Sequence, residues 1–141
     1  MQNELLNNLN KPFLRWQFDQ ENNWLYLNWI GYISNENVLK GMDFVLKLLR
    51  QESYAYLLND NRNLCGPWSG DHELIKNTLI PQMKEAGLQY LAHVLAPNVA
   101  GALSAQNFHR VMSNYINMQL FGNIEKAQQW LKSMQAQQNA R

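Results

Sequence analysis

The side chains first in line for metal binding, proton transfer or nucleophilic attack are three histidines, one cysteine and a scatter of carboxylates. His72, His93 and His109 stand far apart and show none of the close pairings that mark metal sites, so no metal is expected. Cys65, the single cysteine, can form no intramolecular disulfide and has no evident activating base. Glu52, Asp71, Glu73 and Glu85 make no recognisable acid–base pair. Gly-x-Gly-x-x-Gly, Walker-type and Gly-x-Ser-x-Gly patterns are absent from the sequence. The expectation is a protein without catalysis and without a cofactor.

Two groups of residues carry the functional reading instead. The first is the 60–71 loop, where Asp60, Arg62, Trp68 and Ser69 are candidates for contacting a ligand or partner. Asp60 is expected at the carboxyl end of a strand, where open α/β sheets place ligand groups; its structural alternative is a turn or a pair with Arg62. Trp68 follows Gly66-Pro67 and either covers a ligand or tucks against the next helix. Ser69 reads first as a helix N-cap, a role worth about 0.5–2 kcal/mol, and only second as a phosphoacceptor. Asp71 beside it would repel an added phosphate. The second group is aromatic: Trp16, Trp24, Tyr26 and Tyr32 crowd one hairpin with Trp29. Trp29 is in phase with Leu25 and Leu27 and so belongs to the core; the other four suit an interface.

These residues must be positioned by alternating strands and helices. Leu14, Trp16 and Phe18 alternate with Phe13, Arg15 and Gln17, and Leu25, Leu27 and Trp29 with Trp24, Tyr26 and Asn28. Two period-two runs joined by a polar turn predict an antiparallel hairpin. After Ser34, Val38, Met42, Val45 and Leu49 recur at helical spacing, predicting a helix over 34–52. A third strand over 54–60 and a helix from Ser69 or Asp71 follow; Pro81 interrupts that helix and Gly87 ends it. A strand over 90–96, a helix over 97–112 with a break near Ser104, a strand over 115–121 and a last helix capped by Asn123 complete the pattern. Residues 1–11 read as a polar lead-in, 12–134 as one domain and 135–141 as a fraying tail.

The order β-β-α-β-α-β-α-β-α predicts an α/β fold, an antiparallel hairpin leading into a mostly parallel five-stranded sheet. Tyr115, Asn117, Gln119, Trp24, Tyr26 and Asn28 are too polar for a strand face sealed by helices, so the helices are expected mainly on one side.

Composition bounds the rest. At 141 residues with 46% hydrophobic side chains, the chain can bury a core without staples. A net charge of +1 argues against nucleic-acid binding, which depends on clustered Lys and Arg. There is no apolar run of membrane-spanning length and no signal-like start, so a cytoplasmic setting is expected.

The element order resembles the SpoIIAA-like group of STAS-fold proteins, related in fold to Sec14-type lipid-binding domains. The phrases that carry the likeness are Tyr56-Leu57-Leu58-Asn59-Asp60-Asn61-Arg62, Gly66-Pro67-Trp68-Ser69-Gly70, Ala86-Gly87-Leu88 and the run from Phe121 to Leu131. The resemblance implies consecutive strand order and a regulatory protein-interaction module, with another protein or a second copy of the chain as partner. A binder of a small apolar or lipid-like molecule is the alternative. The Asp-Ser-Ser-Gly-Leu phrase of phosphorylated members is missing from residues 60–71.

Overall fold

The computed structural model describes residues 3–69 and 73–140. Asp71, where a helix was expected to open, and His72 lie outside them. Six strands, β1 (Asn3–Leu6), β2 (Pro12–Asp19), β3 (Trp24–Gly31), β4 (Tyr56–Leu64), β5 (Tyr90–Val94) and β6 (Asn117–Phe121), form one sheet in consecutive order. The first three pair antiparallel and β3 to β6 pair parallel. The sheet thus has one strand more than expected. Asn3–Leu6 is an edge strand of β2, with Leu5 packed against the core and Glu4 paired to Arg15 at 3.1 Å.

Four helices connect and flank the sheet: α1 (Asn35–Glu52), α2 (Ile80–Glu85), α3 (Val99–Met112) and α4 (Ile124–Asn139). Ser34 caps α1 by accepting from the Asn37 N–H, and Asn98 and Asn123 cap α3 and α4 in the same way. A π-helical segment, Ile75–Leu79, leads into α2. Pro81 lacks an N–H and crowds the carbonyl four residues back. The chain answers with a wider turn, in which the Ile80 N–H donates to the Ile75 carbonyl. Gly87, at φ 114°, then ends α2; the N–H groups of Gly87 and Leu88 turn back onto the carbonyls of Lys84 and Met83. α3 runs unbroken through Ser104, whose hydroxyl donates to the Ala100 carbonyl.

Two cores result, one on each face. Val38, Met42, Val45, Ile75, Met83, Phe108 and Met112 pack on Leu25, Leu27, Leu57, Leu91 and Met118, so α1, α2 and α3 share the first face. A bulge at Phe13 sends both Phe13 and Leu14 into this core. On the second face α4 seals β4 to β6, where Ala127 and Leu131 meet Trp24, Leu58, Ala92 and Val94. Arg15, Gln17 and Asn28 keep the β2–β3 part of that face partly solvated. Among the described residues no helix is long and apolar enough to cross a membrane.

Candidate functional site

Strand β4 divides the expected loop site between the two faces, because successive strand residues point opposite ways. Asp60 and Arg62 go to the second face. Asn59 and Asn61 go to the first, in phase with Leu57 and opposite Leu27 and His93.

On the second face, Asp60 is fully buried and all its acceptor capacity is taken up. Arg62 donates from its backbone N–H and Nε to Oδ1 and from Nη2 to Oδ2, at 2.9–3.0 Å, and the Tyr26 hydroxyl donates to Oδ2 at 2.6 Å. Burial pushes the Asp60 carboxyl up, but these hydrogen bonds outweigh it and hold it below the usual carboxylate range. Burial and the Asp60 carboxylate together push the Tyr26 phenol up to about 12. This cluster is the pair with Arg62 that the sequence offers as the structural role of Asp60.

The first face holds a different assembly. His93 is 1% exposed, and burial pushes its imidazole down to about 4, so the ring is neutral at neutral pH. Asn59 Nδ2 lies 3.1 Å from His93 Nδ1, and Asn61 Nδ2 lies 3.2 Å from His93 Nε2. Asn59 Nδ2 also donates to Asn61 Oδ1 at 3.1 Å, while Asn59 Oδ1 accepts from Trp29 Nε1 at 2.7 Å. Trp68 stacks on His93 with centroids 6.2 Å apart and meets Phe108 edge-on at 5.4 Å. Its backbone N–H is anchored by Ser104 Oγ at 3.2 Å, yet its buried Nε1 has no hydrogen-bond partner among the described residues.

This polar cluster borders a cavity of about 50 Å³ between the sheet and helices α1, α2 and α3. Asn59, Asn61 and Trp68 line it, and the remaining wall is apolar, including Trp29, Val38, Met42, Leu91 and Met112. One water needs about 10–15 Å³ of such space, so there is room for roughly four waters or one compact molecule of about five heavy atoms.

The expected hairpin surface is dispersed. Trp24 is 2% exposed beneath α4 and is core. Trp16 packs on Phe44 of α1 at 4.5 Å, and Tyr26 is tied to Asp60. Tyr32 remains 81% exposed, its ring lying over Gly66. Ser69 is half-buried, and Cys65 is exposed. Among the described residues no group of three or more His, Cys, Asp or Glu could hold a metal ion. Asn59, Asn61 and His93 as a unit escaped the sequence reading. The available signal was their phase with Leu57 and Leu91, which aims amides and an imidazole at the core.

Compared with known proteins, the chain matches no family model and no curated protein.

Proposed function

We infer that the chain is a binding protein for a small, largely apolar molecule held between the sheet and helices α1 to α3. One observation carries this: an apolar cavity of about 50 Å³ bounded by Trp68, whose buried Nε1 has no hydrogen-bond partner among the described residues. Buried polar groups are nearly always hydrogen-bonded, and leaving one unpaired costs about 1–3 kcal/mol. Small-molecule sites combine that kind of apolar wall with a few placed polar groups. The consecutive strand order that the resemblance to SpoIIAA-like domains implies is compatible with this reading, since those domains are related in fold to Sec14-type lipid-binding domains. Thermal melting in buffer equilibrated with cyclopentane tests it. Binding to the folded state raises the melting temperature, and the rise grows with the logarithm of concentration above Kd; an unchanged melting temperature up to the solubility limit of cyclopentane overturns the reading.

A STAS-like docking role has one observation in its favour. Tyr32, the residue after β3, is 81% exposed, and its ring covers the buried Gly66 of the 60–71 loop. Light scattering of the native chain and of Tyr32→Ala at micromolar concentration tests self-association there. An identical monomeric mass for both excludes a homodimer through this surface.

A further inference from the structure

The hydrogen-bond inventory around His93 does not balance. A neutral imidazole offers one N–H and one lone pair, yet both of its ring nitrogens face an amide nitrogen, Asn59 Nδ2 at 3.1 Å and Asn61 Nδ2 at 3.2 Å. One of these contacts must therefore set donor against donor. Turning an amide over does not remove the conflict. Reversing Asn61 points its NH₂ at the NH₂ of Asn59, which now donates to Asn61 Oδ1. Reversing Asn59 as well points its NH₂ at Trp29 Nε1, itself only a donor. With Asn59 held by Trp29, the arrangement that satisfies Asn59 makes His93 Nδ1 the acceptor. The surplus then falls on His93 Nε2–H and Asn61 Nδ2–H. Trp68 Nε1–H is a third donor without an acceptor among the described residues, on a ring stacked against His93. Asn61 and Trp68 both line the cavity, whose remaining wall apart from Asn59 is apolar.

We propose that the bound molecule carries an uncharged carbonyl oxygen, received by the N–H groups of Asn61 and Trp68, which line the cavity beside the His93–Asn61 contact, with its hydrocarbon part against Val38, Met42 and Met112. This inference rests on the apolar-ligand reading and adds its polar group. An oxygen with two lone pairs accepts from both Asn61 and Trp68, and the donor surplus selects an acceptor over a hydroxyl acting as donor. The cluster contains no cation, and an unpaired carboxylate is costly to bury, so a ketone, aldehyde, ester or amide oxygen fits better than a carboxylate.

Three molecules of five heavy atoms and similar shape separate the possibilities: 2-butanone, 2-methyl-1-butene and propionate. Each is titrated into ¹⁵N-labelled protein while the five tryptophan indole N–H signals are followed, Trp68 being assigned from Trp68→Phe. The ketone is expected to bind about tenfold more tightly than the alkene, the worth of one net hydrogen bond, and to move the Trp68 indole signal where the alkene does not. In Trp68→Phe the ketone's advantage over the alkene should shrink, with Asn61 still donating. Equal binding of ketone and alkene to the native chain, with an unmoved Trp68 signal, overturns the carbonyl assignment and leaves the apolar pocket standing. Tighter binding of propionate than of the ketone overturns the neutral-oxygen assignment. Binding of none of the three removes the pocket and the assignment together; the indole shift in the native protein keeps the test valid if Trp68→Phe does not fold.

Discussion

Trp29 Nε1 donates to Asn59 Oδ1 at 2.7 Å, and this bond sets the direction of the amides beside it. With Oδ1 committed to Trp29, Asn59 has only its NH₂ to offer Asn61 and His93. A core tryptophan thereby sets the hydrogen-bond polarity of the cavity rim. Trp29→Phe keeps the apolar wall and leaves the half-buried Asn59 oxygen without this donor, a loss expected to cost about 1 kcal/mol. Urea denaturation measures it. The side-chain amide signals of Asn59 and Asn61 should shift together; a change under about 0.5 kcal/mol with unmoved amide signals contradicts this role.

Gly41 lies in the middle of α1 because of the same tryptophan. A Cβ there would sit 2.5 Å from the Trp29 ring and 3.5 Å from Phe13. Alanine is worth about 1 kcal/mol more than glycine in an open helix. Here overpacking outweighs that gain, and Gly41→Ala should destabilise by about 1–3 kcal/mol. Because Trp29 lines the cavity, the variant should also bind 2-butanone more weakly. A more stable Gly41→Ala protein would contradict the packing described.

The buried imidazole makes stability depend on pH. His93 has a folded pKa of about 4 against an ordinary value of 6.5, so between these values the unfolded chain binds the extra proton. Its contribution is complete above about pH 6.5 and is lost as pH falls toward 4, amounting to about 3 kcal/mol at 1.36 kcal/mol per pH unit. Urea denaturation at pH 7 and pH 4.5 should show the loss in the native chain and less of it in His93→Gln. Equal losses in both would contradict the assignment.

On the opposite face, Tyr26 should titrate late. Its phenol is pushed up to about 12, so its contribution is fully present below pH 10 and disappears as pH rises through 12. Ultraviolet titration of the native chain and Tyr26→Phe isolates the phenolate signal. Tyr26→Phe should also cost about 1 kcal/mol, less than the ~1.5–3 kcal/mol of a fully buried bond to a charged group because Tyr26 is partly solvated. A Tyr26 midpoint near 10 would contradict the bond to Asp60.

Much of the architecture is legible in the residue pattern. The period-two runs of β2 and β3, the helical spacing after Ser34 and the capping residues Ser34 and Asn123 all act locally. What escapes is decided by distant contacts. Asn3–Leu6 is too short and polar to announce itself, and becomes a strand by pairing with β2. Trp24 looks like an outward aromatic until α4, about a hundred residues later, folds over it. Asn59 and Asn61 look solvated because amides usually are; only the three-way contact with His93 and Trp29 makes their burial tolerable. The candidate site was half visible. Trp68 belongs to it, whereas Asp60 and Arg62 face the other way.

Xenon-pressurised methyl NMR probes the cavity between the sheet and helices α1 to α3, since xenon occupies apolar cavities without any hydrogen bond. Saturable shifts are expected on the methyl groups of Val38, Met42, Val45, Leu57, Met83 and Met112, with the α4-side methyls of Leu58 and Leu131 unmoved. Linear, unsaturated shifts spread evenly over surface and core methyls would contradict a cavity there.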